Sequence, residues 1–257
     1  MLKHCKNKAA FTLVELSISI AIIGLLVSAT LIGSAMIANT ESKTLLSEVQ
    51  KLNSSIGTFQ ALYRGMPGDI ANATAYWGGT GNGDGSGKID AETSDEPFRA
   101  VQQLYLAGLI DGAYAGFTGT WVGGFVRGSS AATGNVIGSL GRSKAVIYVK
   151  CCSGTDYFPS TRAISFNNHV NVSSILATNM EKRAGVLTPI EAYDIDRKVD
   201  DGVPDTGLVG GSGSYNGSAY VATGCYSSTG SGSTYDTAIA ANKNVQGCQM
   251  QFAYDWN

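Results

Sequence analysis

Hydrophobic and polar positions along this chain fall into three regimes. From Ala9 to Ile37, AAFTLVELSISIAIIGLLVSATLIGSAMI, apolar residues run almost unbroken and Glu15 is the single charge. From Leu45 the apolar residues recur instead at steps of four and three, as Leu45, Val49, Leu52, Ile56, Phe59 and Tyr63. Beyond Pro67, short apolar patches are set in sequence rich in Gly, Ser, Thr and Asn. The first regime predicts a helix that crosses a bilayer core of roughly 30 Å at ~1.5 Å rise per residue. The second predicts a helix buried along one face, with Glu41, Lys43, Glu48, Gln50 and Lys51 on the others. No proline separates them, so they read as one helix from Phe11 to about Arg64, roughly 80 Å long. Gly24 and Gly33 are its weakest points. Arg64-Gly65-Met66-Pro67 ends it.

The remaining chain predicts short elements. Asp95-Glu96-Pro97 opens a helix whose apolar face is Phe98, Val101, Leu104, Tyr105 and Leu109, closed by Gly108 or Gly112. Residues 113–142 read as loops or short strands anchored by Trp121, Phe125 and Val136. Lys144–Lys150, KAVIYVK, is the clearest strand, with Arg162–Phe166, Ala219–Cys225 and Gln249–Tyr254 as further strands. Ser173 or Ser174 reads as the cap of a helix running to Arg183 and closed by Gly185. Thr188-Pro189 opens another, reaching about Lys198.

Composition narrows the function classes. The 257 residues carry a net charge of −2, and three of the 18 basic residues, Lys3, Lys6 and Lys8, stand ahead of the apolar run. The rest of the chain is acidic, which disfavours nonspecific nucleic-acid binding. Arg127, Arg142, Lys144 and Lys150 are read as scattered surface charge in preference to a DNA-binding patch. Beyond the basic head, His169 is the only histidine, and no G-x-S-x-G motif occurs, so neither a Ser-His-Asp nor a Cys-His centre is expected. The chain does not read as an enzyme. The sequons at Asn72 and Asn171 carry little information.

The order of residues at the start says more. A basic leader, a small residue, then Phe11-Thr12-Leu13-Val14-Glu15 and an apolar helix resemble the signal of type IV pilins and type II secretion pseudopilins. The resemblance implies cleavage by a prepilin peptidase between Ala10 and Phe11, and methylation of the new amino terminus. The apolar segment is then kept, unlike that of an ordinary secretory signal. Ala10 departs from the usual Gly by the smallest substitution available. The resemblance also implies that Glu15 neutralises the free amino terminus of a neighbouring subunit during assembly. Desolvation strengthens that attraction well beyond its value in water. Read alone, Glu15 is an acidic residue favoured by the start of a helix.

A second resemblance covers about the first 115 residues. Tyr63, Pro67-Gly68-Asp69, Trp77, a Gly/Asp loop, then Glu96, Leu104 and Ala107-Gly108-Leu109-Ile110 are similar to a subgroup of larger prepilin-type proteins of Gram-negative bacteria. The implied architecture is α+β and pilin-like: a long N-terminal helix on a small antiparallel sheet, with extra helices and Gly-rich loops. The segments are a leader at 1–10, a membrane or filament-core segment at 11–40, and a periplasmic or extracellular domain at 41–257.

Two loops carry oxygen ligands. In GGTGNGDGSGKIDAE, Asn82, Asp84, Ser86, Lys88 (through its carbonyl) and Asp90 fall at EF-hand-like positions, with Gly87 at the turn. The loop has Asn at the first position and Thr93 at the twelfth, with Glu92 one residue early. The alternative is a flexible Gly/Asp loop that holds no ion. The second loop clusters Asp194, Asp196, Asp200, Asp201 and Asp205, and a calcium site near the C-terminal sheet is what the pseudopilin resemblance implies there. Arg197 and Lys198 inside it also pair with such acids. No cofactor is required by either reading; structural calcium is the candidate ion. Four cysteines follow the leader, and an even number outside the membrane favours disulfides. Resemblance to pilins, which often close a loop near their ends, favours Cys225–Cys248. Cys151 and Cys152 are adjacent, so a bond between them is strained.

These readings converge on a structural filament subunit, made as a single-pass inner-membrane precursor. Its implied partners are copies of itself or other pilins, prepilin peptidase, an assembly ATPase and a platform protein. It would end in a cell-surface pilus; the alternatives are a periplasmic pseudopilus acting in protein export, or a membrane-anchored adhesin or binding module that never polymerises.

Overall fold

In a computed structural model, the apolar run and the stripe behind it are one helix, α1 (Leu13–Tyr63). The structure describes residues 12–90, 95–116, 136–140, 142, 145–151, 168–175, 183–215, 220–221, 224–227, 232–237, 245–254 and 256. Further elements follow as α2 (Ala73–Tyr76), α3 (Glu96–Leu106), β1 (Ile137–Gly138), β2 (Val146–Cys151) and β3 (Asn168–Ile175). Then come β4 (Arg183–Ala184), α4 (Pro189–Val199), β5 (Val209–Ser212), β6 (Ser214–Tyr215), β7 (Tyr220–Val221) and β8 (Gln249–Ala253). The architecture is α+β and pilin-like.

The chain divides into two compact units, Met1–Lys43 and Thr44–Asn257. In the first, no residue of Leu13–Thr30 is buried, so this stretch leaves its apolar side chains uncovered. It is long and apolar enough to cross a membrane.

In the second unit the main sheet runs in the order β1-β2-β3-β8-β5, all pairs antiparallel, with β4 on the end of β3. Its inner face is Ile147, Val149, Val170, Val172, Val209, Met250 and Phe252, which share one core with Leu45, Val49, Leu52, Ile56 and Phe59 of α1. The helical stripe read from the sequence is the buried face of that packing. Each such side chain contributes about 1.5–3 kcal/mol on leaving water. Beyond Tyr63 the helix stops because Arg64 turns to a left-handed φ of 55° and Pro67 supplies no N–H. Gly68, at φ 90°, then passes so close to α3 that a Cβ there would lie 2.4 Å from the Glu96 carbonyl. Only glycine fits.

One expected helix does not start at its expected cap, its far end Arg183 lies on β4, and residues 176–182 between them lie outside the described residues. Ser173 and Ser174 lie within β3, where Asn168-His169-Val170-Asn171-Val172-Ser173 alternates with period two and puts Val170 and Val172 into the core. Ser next to a helix-forming run resembles a cap, but here the strand period prevails. The expected helix from Thr188 is present and carries a full capping box: Thr188 Oγ1 accepts from the Glu191 N–H while Glu191 accepts from the Thr188 N–H. The 144–150 and 249–254 strands are β2 and β8. Only Tyr220 and Val221 of the 219–225 segment are described as strand. The 162–166 segment, Trp121 and Phe125 lie outside the described residues.

Candidate functional site: the capped amino-terminal helix and two carboxylate loops

At the N-terminal end of α1, Thr12 and Glu15 hold one another. Glu15 Oε2 accepts from the Thr12 N–H at 2.9 Å and from Thr12 Oγ1 at 2.8 Å, while the Glu15 N–H donates to Thr12 Oγ1 at 3.2 Å. This is a capping box: a residue ahead of the helix and one three positions on satisfy each other's donors. Both bonds fall on one carboxylate oxygen, so the box leaves the other oxygen for a second donor. The box is legible in Thr12-Leu13-Val14-Glu15, although the charge at Glu15 draws the eye and its partner Thr12 does not. Ala10 and Phe11 lie outside the described residues.

The glycine-rich loop is organised by carboxylates that come from outside it. Asp69 Oδ1 accepts from the N–H groups of Gly85 and Ser86, and Oδ2 from that of Gly87 at 2.7 Å. Glu96, at the start of α3, accepts from Asp84 N and Asp90 N. Asn168 closes the third side: its Oδ1 accepts from Ile89 N and its Nδ2 donates to the Gly87 carbonyl. Gly83 is needed because a Cβ there would stand 2.3 Å from the Asp69 backbone. Three of these acids, Asp69, Asp84 and Glu96, bring oxygens within 4.8 Å of one another. Of the residues read as ligands, therefore, only Asp84 joins the cluster. Asn82 accepts from Thr74 N, Ser86 and Lys88 bond to one another, and Asp90 meets Glu96 through its N–H. Burial, and after it Asp84, pushes the Asp69 carboxyl up, against the three backbone donors. Ser86, and after it Asp69, holds Asp84 below its ordinary value.

The acidic run that begins in α4 and continues past it is divided by the fold. Asp196, Asp200 and Asp201 come together with oxygens within 4.8 Å. Asp194 pairs on the surface with Arg197, and Asp205 accepts from Gly232 N and Ser233 N. Within the trio, Asp196 accepts from the Tyr235 hydroxyl at 2.7 Å and from Gly202 N at 3.1 Å. Asp200 receives Leu208 N and Val209 N, and Asp201 receives Val203 N and the Thr206 hydroxyl. Both clusters thus act as acceptors for the irregular backbone around them.

Asp196 is fully buried, and its pKa is pushed up to about 7, chiefly by burial, with Tyr235 and Gly202 pulling it down and Asp201 and Asp200 adding to the rise. The folded state therefore holds this proton more tightly than the unfolded chain, whose ordinary value is 3.8. The associated stability is full below about pH 4 and is lost as pH rises through 7. In chelator-containing buffer, the unfolding free energy is expected to fall by roughly 3–4 kcal/mol between pH 4 and pH 8 on this account. Denaturant titrations across that range check it. The Asp196→Asn chain should lose that slope, and an undiminished slope would refute the assignment.

Cys225 and Cys248 form a disulfide that ties the start of β8 to a loop 23 residues earlier. Cys151 is also disulfide-bonded, and Cys152 lies outside the described residues. Two of the four basic residues read as surface charge are not on the surface. Arg142 is buried against Glu191, and Lys150 is buried on β2. Arg127 and Lys144 lie outside the described residues. His169 is buried on β3 beside Lys150, in register with it. The Asn171 sequon is fully buried as well.

Against known families, residues 5–31 match the prokaryotic N-terminal methylation motif. The chain carries the signature of type IV pilins and pseudopilins. The match covers part of the basic head, the Thr12–Glu15 box and α1 as far as residue 31, and it indicates a structural subunit in place of an enzyme. A pilin- or pseudopilin-type subunit with this motif is a membrane-anchored precursor that prepilin peptidase processes. Comparison with curated proteins and with solved structures found no match to this chain.

Proposed function

We propose that this chain is the polymerising subunit of a type IV pilus-like filament. The carrying observation is the uncovered apolar helix Leu13–Thr30, headed by a carboxylate that Thr12 engages through one oxygen only. In water such a face is costly, and only a bilayer or the helices of other subunits relieve it. The free oxygen of Glu15 suits a cationic partner, and an amino terminus freed by cleavage before Phe11 in a neighbouring copy would supply one. The soluble unit would then face outward while the helices bundle. An assembly ATPase and a platform protein in the inner membrane would drive the addition of subunits.

Intact-mass and N-terminal analysis of the protein from native membranes tests this. The expected chain begins with N-methyl-Phe11. A chain that keeps residues 1–10, or is cut near Ala35 or Ala38, would sink the reading. Fibres on the cell surface that carry the protein would separate a pilus from a periplasmic pseudopilus.

A further inference from the structure

The main sheet has a second face, and its character is unusual. On β2, β3, β5 and β8 this face presents Tyr148, Lys150, His169, Asn171, Ser173, Ser212, Gln249 and Gln251, and every one of them is buried. A polar face on an antiparallel sheet ordinarily meets water. This one does not.

Within the layer, register sets Asn171 directly opposite Gln251, and Ser173 follows on the same face two residues along β3. Asn171 Oδ1 and Nδ2, Ser173 Oγ and Gln251 Oε1 all lie below the surface without a hydrogen-bond partner among the described residues. Buried polar atoms in folded proteins are almost always bonded, so four in one patch call for a ligand. Their chemistry defines it. Asn171 offers one donor group and one acceptor, Ser173 offers both in one hydroxyl, and Gln251 adds an acceptor. The ligand must therefore donate and accept at once and fit between adjacent strands. Water is the smallest molecule that does so, and a buried water typically makes about three such bonds.

We propose that ordered internal water bridges Asn171, Ser173 and Gln251 across β3 and β8. The site has a consequence for the fold. A slip of one residue in β3 would carry Val170 and Val172 onto this hydrated layer and Asn171 into the apolar core. Water bonded to Asn171 and Gln251 in register makes that slip costly from both faces of the sheet.

Two measurements on the full-length chain in detergent test the site. A crystal structure that shows ordered water is expected to place density about 2.7–3.2 Å from the Asn171 amide and from Ser173 or Gln251. Absence of such density, or a direct bond between the Asn171 and Gln251 amides, overturns the proposal. Thermal unfolding gives the second readout. Asn171→Leu, which keeps the number and branching of heavy atoms, is expected to lower Tm by about 3–8 °C, because it strands the water and its remaining partners. A dry site predicts the opposite sign, since the same exchange would remove unpaired groups. Ser173→Ala is the milder variant should Asn171→Leu not fold, with an expected fall of about 1–3 °C. An unchanged or raised midpoint in either variant overturns the proposal.

Discussion

Replacing Glu15 with alanine is expected to abolish filament assembly while the chain still accumulates in the membrane. The same side chain plays two separable roles. As the third residue of a capping box, Glu15 satisfies donors at Thr12, and this role needs only an acceptor oxygen. As the partner of an amino terminus, it needs charge. A pair of unit charges about 4 Å apart is worth about 4 kcal/mol at an effective dielectric of 20. Lost at each added subunit, that amounts to roughly a thousandfold in the equilibrium of every addition step.

The box itself is worth only about 1 kcal/mol. Glu15→Gln keeps the acceptor and removes the charge, so it should assemble as poorly as Glu15→Ala. Thr12→Val removes the box and keeps the charge, so it should assemble measurably, though with reduced yield. Sheared-fibre yield, normalised to membrane-bound precursor, reads out all three. If Glu15→Gln forms fibres at the native level, the charge is dispensable, and the carboxylate is there to cap the helix.

Arg142→Leu is expected to destabilise the soluble unit by about 3–5 kcal/mol, the usual cost of breaking a buried pair from one side. The corresponding fall in Tm is roughly 6–20 °C. Arg142 is a junction. Its Nε donates to the Val186 carbonyl at 2.7 Å, and its two terminal nitrogens grip both oxygens of Glu191. Glu191 is at the same time the acidic member of the α4 capping box. Val186 and Leu187 in turn bond to the backbone of Cys248, next to the disulfide and at the head of β8. Removing the guanidinium therefore leaves a part-buried carboxylate without its cation, at the point where α4, the 139–142 turn and β8 are joined. Denaturant unfolding of Arg142→Leu and of the pair Arg142→Leu/Glu191→Leu checks this. The double variant should recover part of the loss, because the stranded charge goes with it. A double variant worse than the sum of its singles would refute the account.

Whether a feature of this fold is legible in the residues depends on its range along the chain. Thr12 and Glu15, or Thr188 and Glu191, are three residues apart, and each box can be read as a string. The apolar run of α1 and the stripe from Leu45 to Tyr63 are equally local, since period and length belong to the helix itself. The closing strand at Gln249 is legible in the same way. Asp69 gives no such signal, because the donors it satisfies lie 16–18 residues away, across a glycine-rich loop. An EF-hand-like spacing names ligands along the loop, whereas the carboxylates that grip it come from Asp69 before it and Glu96 after it. Arg142 reads as surface charge for the same reason: Glu191, 49 residues on, leaves no local trace.

By itself the sequence determined the N-terminal business of this protein. The basic head, the small residue before Phe11, the acidic Glu15 and a membrane-length apolar helix are contiguous, and reading them needs no other part of the chain. Periods of 3.6 and 2 carried by short runs marked individual helices and strands, and the pilin resemblance implied the α+β class. Only the tertiary structure decided the strand order, which acids meet, which cations are buried, and that the polar face of β3 lies inside. Those outcomes depend on contacts between residues far apart in the chain. Such contacts are selected by how well whole faces exclude water and satisfy one another's donors, a property of paired surfaces that no single segment carries.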